Sequence, residues 1–425
     1  MATNKFPGPS SIRRHVFDNG MTVLVYENMD SGTVSIEGVV RAGAVNESRA
    51  NAGLANFTAD LLMRGTHKRT FDEIYEALES VGAGVSFGGA RHTSGFSGHS
   101  LVEDFDLILD IIDESLRRPT FPAEQIERLR GQIITGLQMR ANNTRQMAWL
   151  AYYEEAYKQH PYGLSVSGYI DSINNMSRAD IVEFYDRYYG PQDMIVGVVG
   201  AIPADEVLHK LELIFGTWQN EGQQITALSP DIGRPIGLQR RHVPMPEKHQ
   251  ADIVLGLPGP RRSAPDYLDA SLMNTILGVF GMMGRIGQSV REEQGLAYYA
   301  SSRLEGGLGP GSWAASAGVA PDKVEQAIES IRHEVRRIMN EPVTAEELAD
   351  SQAYRTGSLP MSLETNNGLV DIITDMELYG LGLDFLQRYK EEINAITVER
   401  IQQAAQKYLS ADDLVIAVSG PVEAL

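Results

Sequence analysis

Two pairs of polar side chains stand out by type and spacing. Arg291 and Tyr298 bound the segment Arg291-Glu292-Glu293-Gln294-Gly295-Leu296-Ala297-Tyr298. A guanidinium is permanently charged and donates in a planar fork, and a phenol donates one O–H, so both suit a carbonyl oxygen and neither is a nucleophile. Taken alone, they read better as a helix-end arginine and a core-edge tyrosine. Asn56 and Asp60 share one face of a helix, but two oxygen ligands are too few for a cation site, and a surface or capping role is the plainer reading. The chain has no cysteine, which excludes disulfides, thiolate nucleophiles and cysteine-based zinc sites. Among nine histidines, His92 and His99 suit a strand pair, and His242 and His249 are seven apart. None forms a close ligand pair with a carboxylate, so they read as structural or surface residues. Gly306-Gly307-Leu308-Gly309-Pro310-Gly311 lacks the Lys-Ser/Thr of a phosphate loop and reads as a turn between strands, a candidate lid because it follows Tyr298.

These residues sit in a chain of 425 residues, long enough for two or more domains. Hydrophobic residues make up 43% and charged residues 22%, which is globular rather than disordered composition. The net charge of −19 argues against nucleic acid or an anionic membrane as the main partner. Met1 to Ser10 contains no apolar core of a secretory signal, and no run is apolar enough to span a bilayer. The expectation is a soluble cytoplasmic protein.

The elements that must position the two pairs repeat along the chain. Phe184–Gly200 and Ala405–Gly420 both run from a helix ending in tyrosine, through a polar turn, into a β-branched strand closed by glycine. Asp193 and Asp413, in the two turns, are 220 positions apart. Ala123 and Ala345, each opening a helix, are 222 apart. Thr33–Val39 and Ala251–Leu257 match as alternating strands, each followed by a small-residue helix, from about Ala52 and about Tyr267. Matches in register at this offset predict two homologous halves, 1–222 and 238–425, joined by a linker at 223–237. The polar, Gly- and Pro-containing stretch from Gln219 to Pro235 has a linker's composition.

Within the first half, Phe71, Ile74, Tyr75, Leu78 and Val81 form one helical apolar stripe, and Phe105, Ile108, Ile111, Ile112 and Leu116 form another. Val85-Ser86-Phe87 and Thr93–Ser100 read as short strands. The pattern predicts an α+β fold: in each half, a largely antiparallel mixed sheet with helices packed on one face.

The whole chain resembles the pitrilysin-type metallopeptidase family, in its short branch like the mitochondrial processing peptidase. Four segments carry the resemblance: Gly53-Leu54-Ala55 through Gly65-Thr66, His160-Pro161-Tyr162-Gly163, Tyr188-Tyr189-Gly190-Pro191, and Arg291 through Tyr298 behind the glycine- and methionine-rich Gly278–Arg285. The resemblance implies two halves of one fold facing each other across a cavity that admits unfolded peptide. In the family's H-x-x-E-H helix, two histidines bind zinc and the glutamate activates water. The aligned residues here are Asn56, Ala59 and Asp60. A third ligand, a glutamate, is expected some 75 residues on, where Gln132–Gln138 contains no carboxylate. The zinc ligands and the base are therefore all replaced.

Arg291 and Tyr298, by contrast, match the family's substrate-holding pair, which grips the scissile carbonyl and stabilises its oxyanion. Val85, Ser86 and Phe87 align with an edge strand on which members bind substrate backbone by strand addition. The same segment also reads as a plain edge strand loosened by glycine. The expectation is a non-catalytic, substrate-binding subunit without a cofactor of its own. It would pair as a heterodimer with a homologous zinc-binding chain and act on peptide or unfolded polypeptide. The rivals are a structural core-like subunit, a peptide-binding homodimer of the same fold, and an enzyme active by itself, which the missing base opposes.

Overall fold

The computed structural model of the protein describes residues 6–421. The chain forms two compact units, each built on one sheet. In the first, strands β1 (Ile12–Val16), β2 (Thr22–Glu27), β3 (Thr33–Val40), β4 (Gly84–Gly89), β5 (Ser94–Leu101) and β6 (Ile195–Gly200) lie in the order β1-β2-β6-β3-β5-β4. Only β2 and β6 run parallel. In the second, β7 (Leu238–Pro244), β8 (Ala251–Gly259), β9 (Ala297–Glu305), β10 (Gly311–Val319) and β11 (Leu414–Gly420) lie in the order β7-β11-β8-β10-β9. Here β7 and β11 form the one parallel pair. Strand for strand, the second sheet repeats β2-β6-β3-β5-β4 and, among the described residues, lacks only a counterpart of β1. The α+β class and the internal repeat follow from this topology.

Strand alternation gives each sheet two different faces. Val34, Ile36, Val196 and Val198 point into a core shared with Phe57, Leu61, Ile108, Ile112 and Phe215, which come from helices Leu54–Leu61, Phe105–Arg117 and Ala204–Phe215. Both apolar stripes form the expected helices, although Tyr75 is 39% exposed and Val81 caps helix Phe71–Ser80. On the opposite face, Ser35 and Gly197 meet helix Asn366–Leu378: Ser35 Oγ donates to Asn367 Oδ1 at 2.5 Å, and a Cβ on Gly197 would lie 2.5 Å from Thr374 Oγ1. The second sheet is likewise covered by helix Thr144–Ala156, where Tyr152, fully buried, shares a 2.8 Å hydrogen bond with Ser312 Oγ.

These two covering helices separate the spatial division from the linear one. The first unit comprises the chain up to Leu137, Leu164–Leu228 and Pro360–Gln387; the second comprises Gln138–Gly163, Ser229–Leu359 and the chain from Arg388 on. Each sheet thus takes one cover helix from the other sequence half, whereas the linear reading kept 1–222 and 238–425 apart. No local pattern encodes this exchange, because a helix's apolar stripe does not specify which sheet it meets. The stretch 219–237 has no helix or strand. Among the described residues, no helix is long and apolar enough to cross a membrane.

Candidate functional site

In the first unit, the aligned motif lies on helix Leu54–Leu61. Gly53 opens the helix at φ 97°, and a Cβ there would come within 2.9 Å of Gly168 Cα and Ile173 Cδ1. Glu47, not a residue of the helix, satisfies the free N–H groups of the first turn: Gly53 N donates to Oε2 at 2.8 Å and Ala55 N to Oε1 at 2.6 Å. Burial pushes the Glu47 carboxyl up to about 7 against the opposing pull of those backbone bonds.

One turn along, Asn56 Nδ2 donates to Asp60 Oδ2 at 3.2 Å, and Asn56 Oδ1 accepts from Gly89 N at 3.3 Å. The amide therefore ties the helix to the last residue of β4. A Cβ on Gly89 would lie 2.5 Å from Asn56 Cα, so the close approach requires glycine. Ala59 is fully buried, a methyl group in the core. Burial raises the Asp60 carboxyl to about 6, with Arg64 and the Asn56 amide pulling the other way. Gln132, in the stretch aligned with the third ligand, accepts from Arg64 Nη2 at 2.7 Å. Among the described residues, no group of three His, Asp or Glu side chains is placed to share a metal ion. Asn56, Ala59 and Asp60 do not fit zinc: one imidazole position is an amide, and the base is a hydrocarbon.

Beside this helix, β4 is the terminal strand of its sheet. Val85 and Phe87 turn inward, Phe87 with its ring 5.6 Å from that of Phe96, while Ser86 turns outward and hydrogen-bonds Ser97 Oγ at 2.9 Å. The outer edge of such a strand is the geometry that accepts an added strand.

In the second unit, Arg291 and Tyr298 stand on either side of one helix-to-strand reversal. Arg291 lies in the π-helical turn Gln288–Glu293, and Tyr298 is the second residue of β9. Gly295, at φ 60°, ends the turn, and the freed carbonyls of Val290 and Arg291 accept from Leu296 N (2.9 Å) and Gly295 N (3.1 Å). The Arg291 side chain is 33% exposed, with Nε 3.5 Å from Glu292 Oε1. Tyr298 is 84% exposed, an unusual placement for so large a ring. Both donors are thus accessible and held by a defined backbone. Sequence reasoning missed the β-bulge that presents Tyr298: Gly318 pairs with Tyr299 and Val319 with Ala297, leaving Tyr298 unopposed.

The histidines hold no common site. His99 is in β5, but His92 lies in the turn before it, outside the strand pair expected for the two. His242 is in β7 and His249 in the turn after it.

Comparison with known proteins agrees with this architecture. The model of the insulinase family (peptidase family M16) matches residues 22–169, and that of the peptidase M16 inactive domain matches 175–354. An uncharacterized zinc protease of Mycobacterium leprae is 24% identical over 409 residues, covering 96% of this chain and 92% of that protein. The uncharacterized zinc protease YmxG of Bacillus subtilis is 22% identical over 410 residues, covering 96% and 98%. Among solved structures, a peptidase M16 inactive domain from Pseudomonas fluorescens superposes with a TM-score of 0.91 at 24% identity, over 97% of this chain and 99% of that one. A protease from Helicobacter pylori reaches 0.89 at 18% identity, over 98% and 100%. With both halves matched and the motif helix stripped of its ligands, the chain belongs to the pitrilysin-type metallopeptidase family, peptidase family M16, and is a member without the zinc motif.

Proposed function

We propose that this chain is the non-catalytic, substrate-binding subunit of a heterodimeric zinc endopeptidase of the cytoplasm. It would contribute Arg291 and Tyr298 to an active site whose zinc and H-x-x-E-H helix belong to a homologous partner. The observation that carries the reading is the coexistence of a disabled motif helix with an accessible Arg/Tyr pair. Asn56 is engaged by Asp60 and Gly89, whereas Tyr298 is 84% exposed on a bulge.

The division of labour follows from the chemistry of these groups. Arg291 orients the scissile carbonyl, and the Tyr298 hydroxyl donates to the oxyanion as charge develops on it. Val85, Ser86 and Phe87 on edge strand β4 bind substrate backbone as an added strand, independent of sequence. The chain itself needs no cofactor; zinc in the partner would supply the activated water.

The isolated chain should hold no stoichiometric zinc and cleave no peptide. Co-expressed with a homologous chain carrying H-x-x-E-H, it should yield a zinc-containing dimer that cuts a quenched peptide. Arg291→Ala should lower kcat about 100- to 1000-fold, as loss of an oxyanion donor does, without dissociating the dimer. Undiminished turnover by that variant would remove the assigned role. The second reading is a peptide-binding or structural protein of the same fold with no proteolytic role, favoured by the place of β4 at the end of its sheet. It requires that no pairing cleaves peptide.

A further inference from the structure

Tyr298 is turned outward by a bulge, and its neighbour Tyr299 takes the opposite face of the same strand. The Tyr299 hydroxyl donates to Asp252 Oδ1 at 2.5 Å. Thr144 Oγ1, at the start of the cover helix, donates to Asp252 Oδ2 at 2.5 Å, and Gln250 Nε2 lies 3.2 Å and 3.3 Å from the two oxygens. Asp252 is 1% exposed. The Arg145 guanidinium sits 4.4 Å above the Tyr299 ring. The ring in turn covers Gly318, where a Cβ would come 2.6 Å from Tyr299 Cε1 and 2.5 Å from Gln250 Nε2. All of these residues belong to one unit.

A carboxylate buried among neutral donors is costly, and a joint between strand and cover helix does not require one. At the equivalent position the first unit uses neutral groups, Ser35 and Asn367, and its carboxyl contact, Glu37 with Asp371, lies two residues further along the strand. What the second unit adds is a tyrosine from the edge strand. Burial and the adjacent Asp252 push the Tyr299 phenol far above its ordinary range, so it stays a donor at any working pH.

We infer that Asp252 is a positioning residue: through Tyr299 it clamps the start of β9 and fixes the bulge that presents Tyr298. The catalytic part of this inference rests on the reading of Arg291 and Tyr298 as a carbonyl-binding pair. The clamp itself can be tested without it.

The test places 3-fluorotyrosine at position 298 of the full chain and compares Tyr299→Phe, which keeps the ring and its stacking but deletes the hydroxyl. The fluorine resonance should shift and broaden, with the melting transition remaining cooperative. Asp252→Asn, similar in shape, should move the same resonance. With the zinc-bearing partner, Tyr299→Phe should lower kcat about 10- to 100-fold, the scale of a misplaced catalytic group, with KM within about twofold. An unaltered resonance in Tyr299→Phe, or a change confined to KM, overturns the clamp. A wild-type dimer that cleaves nothing refutes the catalytic reading of the pair, and the fluorine spectrum then decides the clamp alone.

Discussion

Replacing Glu37 with glutamine should stabilise the protein at alkaline pH and do little at acid pH. Glu37 lies on β3, on the face covered by helix Asn366–Leu378. Burial raises its carboxyl first, a hydrogen bond with Asp371 second, and the charges of Asp371 and Asp375 further, to about 8 from an ordinary 4.5. Its Oε2 is buried without a hydrogen-bond partner. Below about pH 4.5 the group is protonated in both folded and unfolded chains and exerts no pH dependence. Between there and about pH 8 the unfolded chain releases the proton while the folded one keeps it, so stability falls as pH rises. At about 1.4 kcal/mol per pH unit the upper bound is roughly 5 kcal/mol. Residual solvent contact and the proton shared with Asp371 reduce the expected effect to about 2 kcal/mol. Urea unfolding of wild type and Glu37→Gln at about pH 5 and about pH 9 reads it directly: the variant's advantage should grow by that amount between the two. Parallel pH profiles would show that Glu37 ionises as freely in the folded chain as in the unfolded one, and the reasoning would fail.

Other perturbations separate the scaffold from the chemistry. The triple replacement Asn56→His, Ala59→Glu and Asp60→His restores two ligands and a base but not the third protein ligand, since Gln132–Gln138 has no carboxylate and Gln132 is held by Arg64. Zinc should therefore bind weakly and be lost to desalting against a mild chelator; retention of one equivalent would mean that an unrecognised ligand completes the site. Gly89→Ala puts a methyl group 2.5 Å from Asn56 Cα and should cost about 1–3 kcal/mol by forcing the end of β4 off the motif helix, read as a lowered urea midpoint. An unchanged midpoint would show that the strand yields at no cost.

The repeat was legible because β6 and β11 are apolar runs closed by glycine, each behind a helix that ends in tyrosine. The motif frame was legible because H-x-x-E-H ties residue type to helical spacing, so Asn56, Ala59 and Asp60 register as losses. Strand β1 left no such signal: Ile12-Arg13-Arg14-His15-Val16 buries only Ile12 and shows no alternation of apolar and polar residues. The exchanged cover helices were invisible for a different reason. Thr144–Ala156 and Asn366–Leu378 bury apolar residues that would suit either sheet, and the polar contacts that place them, Thr144 to Asp252 and Asn367 to Ser35, join residues 108 and 332 positions apart. Such contacts leave no periodic trace in the chain.

The bulge at Tyr298 shows why a candidate position can be named from sequence while its geometry stays hidden. Arg291-Glu292-Glu293-Gln294-Gly295-Leu296-Ala297-Tyr298 identifies the tyrosine, but strict alternation says nothing about where its ring must go. The extra residue of the bulge breaks alternation between Ala297 and Tyr299 and leaves the intervening phenol unopposed. An exposed phenol on an edge strand has little packing to hold it, so its precision must come from the backbone beneath. That backbone is pinned on one side by the Gly295 reversal and on the other by Tyr299 on Asp252. In the first unit the corresponding edge strand, β4, is instead tied to helix Leu54–Leu61 by Asn56 and Gly89, a contact that stabilises the joint and offers no donor to substrate. One scaffold thus ties its edge strand to the motif helix in one half and leaves a phenol exposed on the edge strand of the other.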